Sequence, residues 1–545
     1  MYVCTSNYVY TYSVADINNI LFIQIKCLKC ILKFFIPYAI IMKQQSVVTD
    51  IRKMIFTEVA RVAYESEHVA KDLEEIPYLI TPDEVPRYRE SIYRERQIAS
   101  ERVRLAMGLS LRPENKPVNI TSGISRSTIA DKYYEPPLMQ VIPSACDKCP
   151  DNQYFVTDQC RACVARSCVK SCPTGAVSLI DGKSHIDQSK CIKCGRCKAS
   201  CPYDAIAHRK RPCASACGVN AITSDEYGRA LILTGRCVAC GQCMSACPFG
   251  AIADKSQIFQ LIQAIKQGDE VVAAVAPAII GQFGPKVTAG KLQSALLALG
   301  FKDVYEVATG ADVACIAEAH HYVNEVKTGN LPFLFTSCCP AWAVLVKTQF
   351  PDLASRVSRE LTPMVATARS IKVNRPNARV VFIGPCAAKK LEASRHDVKS
   401  FVDFVITFEE LGGMFAAKNL VLEEMEELPV NFTATGAGRG YACSGGVSEA
   451  ISKCINEYYP GTEIKIEHAE GLTDCRKALQ LCNAGKYDGY MIEGMACPGG
   501  CVAGVGTIIP PERAKAAVVQ AVKNSQRGIP SKDLEDLAAE LSKMD

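Results

Sequence analysis

The sequence lacks a dominant charge: 62 Lys and Arg face 57 Asp and Glu, a net of +5 over 545 residues. No basic run carries interleaved aromatics, so a nucleic-acid partner is not expected. No flavin or nucleotide motif is present, and any coupling to NAD(P)H would need another subunit. An appended signalling module of the PAS or kinase type is also missing. Long apolar runs are scarce. Residues 20–41 (ILFIQIKCLKCILKFFIPYAII) approach spanning length, but Lys26, Lys29 and Lys33 interrupt them. Each central charge costs roughly 2.5–3.5 kcal/mol on insertion scales. No small-residue cleavage site follows. Residues 1–46 therefore read as an apolar extension or disordered tail, with Met42 as the original start; an interfacial helix and a true span are the alternatives. No membrane partner is expected.

Cysteine is abundant instead, with 29 residues, sixteen of them between Cys146 and Cys247. In a secreted chain this would suggest disulfides. Here the C-x2-C clustering and the length argue for metal ligation in a reducing, cytoplasmic compartment. The run Cys191-x2-Cys194-x2-Cys197-x3-Cys201-Pro202 repeats as Cys237-x2-Cys240-x2-Cys243-x3-Cys247-Pro248, and a looser version, Cys160-x2-Cys163-x4-Cys168-x3-Cys172-Pro173, precedes both. Such spacing wraps three corners of a 4Fe–4S cube, and the cysteine before proline ligates the neighbouring cube. Four sets follow. Cys172 joins Cys191, Cys194 and Cys197; Cys201 joins Cys160, Cys163 and Cys168. Cys217 joins Cys237, Cys240 and Cys243, which leaves Cys146, Cys149, Cys213 and Cys247. If Cys146 and Cys149 bind zinc or nothing, three accessory cubes remain.

The expected organisation is multidomain, α/β and α+β. After the extension, residues 47–143 form a helical region and linker, with Ile51, Ile55, Val59 and Val62 on one helical face. Ferredoxin-like 4Fe–4S units occupy 144–207 and 208–255, with short strands after each Cys-Pro. Residues 256–510 alternate strands (271–280, 331–337, 378–385, 487–495) with helices, and 511–545 form a helical tail. The last three strands run straight into cysteine motifs, a placement typical of ligand sites.

Those motifs are Thr336-Ser-Cys-Cys-Pro-Ala-Trp342, Gly384-Pro-Cys-Ala-Ala-Lys-Lys390 and Glu493-Gly-Met-Ala-Cys-Pro-Gly-Gly-Cys501. Cys339, Cys386, Cys497 and Cys501 suffice for a fifth cube, and Cys338 is surplus. An unligated thiol beside a metal cluster can exchange protons, because a nearby cation lowers its pKa. With these motifs the chain resembles the catalytic subunits of iron-only (FeFe) hydrogenases over roughly 144–510, in their TSCCPAW branch. The resemblance implies a two-lobed α/β catalytic domain and an H-cluster: a cube sharing one cysteine with a di-iron unit that carries carbon monoxide, cyanide and a dithiolate amine. Carried over by motif, Cys339, Cys386, Cys497 and Cys501 hold the cube, and Cys501 bridges to the di-iron unit. Cys338 passes protons, Lys389 (rather than Lys390, by spacing) anchors a cyanide, and Met495 and Pro277 line the pocket.

The family's proton route implies Glu318 and Ser358. His321 stands where a second carboxylate is usual, and histidine can also relay protons. Other departures are Ala341 for glycine, Gly384 for methionine, Thr362-Pro363-Met364 for Ser-Pro-Gln, and Ala278 where some members have serine. Cys443 sits in a Gly-rich turn and reads as an ordinary buried thiol; Cys315, Cys454, Cys475 and Cys482 have no ligand spacing. The implied activity is reversible dihydrogen formation, with electrons from reduced ferredoxin or a similar carrier and maturation proteins as further partners. The competing readings are a dihydrogen sensor of low turnover, a hydrogenase-like iron–sulfur assembly protein without the di-iron unit, and a module of an electron-bifurcating complex.

Overall fold

The computed structural model describes residues 2–5, 8–11, 46–128 and 134–544, so the apolar segment 20–41 and Met42 lie outside the described residues. Among the described residues no helix is long and apolar enough to cross a membrane.

The helix Val47–Glu65 begins at Ser46, whose hydroxyl accepts the Thr49 N–H, satisfying one of the orphan donors of a helix start. Its expected apolar face is the one it buries: Ile55, Val59 and Val62 are in the core and Ile51 packs against it. That face lies on the helix Phe408–Ala417. A Cβ on Gly413 would come within 2.7 Å of the Phe56 Cβ, so glycine sets the closeness of the two axes. Arg52 pairs with the buried Glu409 across the same contact.

The cysteine-rich part is built from short antiparallel pairs: Gln153–Val156 with Ile206–Arg209, Val177–Ile180 with Lys183–Ile186, and Ile222–Ser224 with Ala230–Ile232. Ile252–Asp254 pairs with Met139–Val141. The segment expected as linker thus ends in a strand that closes the second unit.

Among the described residues, the carboxy-terminal α/β domain holds seven strands, numbered here β1 (Val271–Val275), β2 (Asp303–Glu306), β3 (Phe333–Phe335), β4 (Arg379–Ile383), β5 (Phe404–Ile406), β6 (Lys465–Glu470) and β7 (Tyr490–Met495). They form two parallel sheets, ordered β2-β1-β4-β5 and β3-β7-β6. Every residue of β1, β3 and β5 is buried. Such unbroken apolar runs suit parallel sheets covered on both faces. Cys386 follows β4 in the first sheet; Cys338, Cys339, Cys497 and Cys501 follow β3 and β7 in the second. The thiols therefore meet where the two lobes face each other.

Candidate metal centres

One cavity of about 90 Å³ collects Cys338, Cys339, Cys386, Cys497 and Cys501, and Lys389, Met495 and Pro277 share its wall. The rest of the lining is mostly alanine, proline and glycine. Burial pushes Cys386 up to about 11 and Cys501 up to about 12, with neighbouring thiols adding to both shifts. Cys338 is raised well above the ordinary thiol range, first by burial and then by Glu318, Cys339, Glu493 and Cys501. Buried thiols so close together stay neutral on their own and lose protons only to a bound cation. Among the described residues no three His, Cys, Asp or Glu side chains converge on a single ion. Four thiols around a hollow, a fifth beside them and one buried cation fit a cubane cluster with an attached anionic group.

Two lysines follow Cys386, and the fold separates them. Lys389 lines the cavity, its Nζ 2.7 Å from Glu392 Oε2 and 3.5 Å from Thr362 Oγ1. Burial alone would lower its pKa, but the Glu392 carboxylate, with Cys386 and Cys338 adding to it, turns the net shift upward. Lys390 turns away into a buried cluster, 2.7 Å from Asp254 and 2.8 Å from Glu410. Gly384, where methionine was expected, has a neighbour that explains it: a Cβ there would lie 2.4 Å from the Phe382 ring, and that ring lines the cavity. Ala278, Ala341 and Met364, three more of the altered positions, line the same wall.

Behind Cys338 lies a polar track. Glu318 is 2% exposed, and its Oε1 accepts from the Ser337 N–H at 3.2 Å and the Ser337 hydroxyl at 3.3 Å. Burial raises its pKa to about 7; Glu360 adds to the shift, while hydrogen bonds from Ser337 and Ser358 oppose it. Ser358 Oγ is 3.4 Å from His321 Nδ1, which is 3.5 Å from Glu360 Oε1. Burial lowers the pKa of His321. The structure thus joins Glu318, Ser358 and His321, and adds Ser337 and Glu360. Sequence reasoning missed both; the signal for Glu360 was a carboxylate two residues beyond Ser358. Tyr441 was missed too. It lines the cavity, and its buried side chain lies beside the Cys315 thiol.

The structure brings several of the accessory thiols together. Cys160, Cys163, Cys168 and Cys201 line one hollow. Cys197 faces Cys191 and Cys172, and Cys243 faces Cys240, Cys237 and Cys217. Cys213 lies by Cys247 and Cys146 and is raised to about 11, chiefly by burial; Cys149 shares the last two neighbours. The third set reaches the main cavity, because Cys240 is part of its wall and the Gln242 amide donates to Cys497 Sγ at 3.6 Å. Gln242, inside the second motif, also escaped the sequence reading. Cys443 is buried beside Cys501, and Cys315 and Cys454 form a buried pair with sulfurs 3.3 Å apart. Cys475 and Cys482 lie in the core of the second lobe.

Residues 269–505 match the family model for the iron only hydrogenase large subunit, C-terminal domain. Residues 160–211 and 207–258 each match the LdpA Fe-S cluster-binding domain. The chain is 29% identical over 396 residues to Iron hydrogenase 1 of Clostridium pasteurianum, covering 63% of this chain and 68% of that protein. It is 28% identical over 380 residues to the periplasmic Fe hydrogenase large subunit of Nitratidesulfovibrio vulgaris, with 60% and 86% covered. Over 294 residues it is 24% identical to cytosolic iron-sulfur assembly component 3 of Pongo abelii, with 44% and 62% covered. A solved structure of FeFe-hydrogenase HydA1 from Chlamydomonas reinhardtii aligns with a TM-score of 0.42 at 24% identity, over 50% of this chain and 89% of that one. The chain is a hydrogenase-like iron–sulfur protein: ferredoxin-like units followed by an α/β domain of the FeFe-hydrogenase type.

Proposed function

We propose that this hydrogenase-like iron–sulfur protein interconverts two protons and two electrons with dihydrogen, as a member of the TSCCPAW branch. The observation that carries the reading is the surplus thiol: Cys338 shares one apolar cavity with the four candidate ligands and with Lys389, and a buried carboxylate with a pKa of about 7 stands behind it. An iron–sulfur assembly role needs neither a spare thiol nor a track leading to it.

Cys339, Cys386, Cys497 and Cys501 would hold an H-cluster, which when bound supplies the two-electron chemistry of dihydrogen. The remaining work belongs to the chain. Cys338 Sγ holds and delivers the proton inside the cavity. Glu318, titrating near the working pH, exchanges that proton with Ser358, His321 and Glu360, whose side chain is 25% exposed. The apolar wall excludes water from the reacting atoms, and the Lys389 ammonium, steadied by Glu392 and Thr362, matches anionic ligands by charge-assisted hydrogen bonding. The accessory thiol sets would hold four further cubes, which when bound supply one-electron transfer from a ferredoxin-like donor, and the Cys217 set lies nearest the cavity through Cys240. Maturation proteins that build the di-iron unit are implied partners.

The similarity to an assembly component supports a second reading, in which only cubes are bound. Infrared spectroscopy of protein matured without oxygen separates the two. Bands of metal-bound carbon monoxide and cyanide are expected, and their absence from fully iron-loaded protein would leave the assembly role.

A further inference from the structure

The first iron–sulfur unit gathers exposed basic side chains around its thiols. Residues 160–210 hold ten Lys and Arg and three Asp, a net of +7, whereas residues 144–159 just before them hold one Lys and three Asp. All ten basic side chains are exposed. Among the described residues only Lys190 of the ten has a carboxylate partner, Asp187 at 3.7 Å. Basic side chains that lack carboxylate partners repel one another and gain from a partner of opposite sign.

The charge surrounds a metal-ligand set. The hollow of Cys160, Cys163, Cys168 and Cys201 also counts Arg161, Arg166 and Tyr203 in its wall, and Lys183 stands beside Cys160. Val164, at the apex of the 161–166 loop, is 96% exposed, and Tyr203 is 50% exposed. An apolar centre within a polar, charged rim is the usual anatomy of a protein–protein contact. Cys194 in the same unit is, among the described cysteines, the exposed one, so both sets here lie near solvent.

We infer that Arg161, Arg166 and Lys183, around Val164 and Tyr203, form the docking face for an acidic electron-carrier protein, which hands its electrons to the cube held by Cys160, Cys163, Cys168 and Cys201. Each encounter moves one electron: the carrier is oxidised by one and the cube reduced by one, and two encounters serve one dihydrogen. The inference rests on the proposed function only in needing an external electron source. Opposed charges act mainly on association rate and on salt dependence.

The test uses the full chain, loaded with iron without oxygen, and a bacterial two-cluster ferredoxin of net negative charge. Binding is measured at roughly 0.05 M and roughly 0.5 M salt, where charge screening differs severalfold. The native Kd should rise at least about tenfold with salt, and Arg161→Glu/Lys183→Glu should weaken low-salt binding by a similar factor. Arg161→Gln/Lys183→Gln, gentler to the fold, should lie between the two. Lys453→Glu/Lys477→Glu in the second lobe should leave the Kd within about twofold. A Kd indifferent to salt and to the 161/183 pair overturns the inference, as does a face that binds duplex DNA or anionic vesicles but not the ferredoxin. The proposed function fails separately: missing carbon monoxide and cyanide bands with salt-sensitive docking would remove dihydrogen chemistry and keep this surface.

Discussion

Cys338 and Cys339 are adjacent in sequence, yet their expected duties differ, and the difference lies in what stands behind each. Cys339 faces the other candidate ligands, whereas Cys338 has Glu318 as its leading charged neighbour. Cys338→Ser keeps the size and replaces a thiol by a hydroxyl that does not ionise near neutrality. Dihydrogen evolution should fall by about two orders of magnitude or more while the 4Fe–4S absorption and paramagnetic spectra persist; normal turnover in this variant would remove the relay. Glu318 gives a test that needs no metal. Its pKa is about 7 when folded against 4.5 ordinarily, so the folded chain holds this proton more tightly than the unfolded chain. The associated stability is complete below about pH 4.5 and is lost as pH rises through 7, by roughly 3 kcal/mol. Glu318→Gln should therefore flatten the fall in the denaturation midpoint of the iron-free protein between pH 5 and 8. Parallel curves for native and variant would show that the carboxyl is not so perturbed. His321, where a second carboxylate was expected, has Glu360 beside it. Glu360→Gln should slow evolution severalfold and leave dye-coupled spectra of the cubes unchanged.

At the level of elements, the strand ends create the site, and close packing keeps them in place. The helix Pro340–Gln349, which starts directly after Cys339, lies on β7 through Trp342 and Gly494. A Cβ on Gly494 would sit 2.2 Å from the Trp342 ring, and Trp342 is fully buried. Gly494→Ala must push apart the two elements that carry Cys339 and Cys497. A loss of about 1–3 kcal/mol is expected, with fewer irons bound per chain, measured by thermal unfolding and iron analysis; unchanged values of both would mean that the contact is slack. The Phe382–Gly384 pair makes a related point. Gly384 stands where the family has methionine, and the ring of a β4 residue occupies the space beside it.

For the whole molecule, the two parallel sheets meet through cysteines from both, and the cluster-bearing units lead to that junction. Cys240 lines the cavity, and Gln242 reaches Cys497 beside it. Five cubes and a di-iron unit require about 22 iron atoms per chain. Iron analysis of matured protein checks this, and a value of about 18 would mean that Cys146 and Cys149 hold no cube.

Much of this could be read from one dimension because metal ligation is local. A cube needs thiols a few residues apart, so the motifs at 160–172, 191–201 and 237–247 point to thiol groups, and the structure brings Cys160, Cys163, Cys168 and Cys201 to one hollow. Parallel strands buried on both faces are unbroken apolar runs, so β1, β3, β4 and β7 and the motifs at three of their ends were visible as well. What spacing could not reveal are contacts that form only when distant segments meet: Glu360 beside His321, the Tyr441 hydroxyl in the cavity wall, Gln242 on Cys497, and the strand Met139–Val141 closing a unit more than a hundred residues away. Their chemistry depends on burial and on approach through space, and neither is encoded in the interval between two residues along a chain.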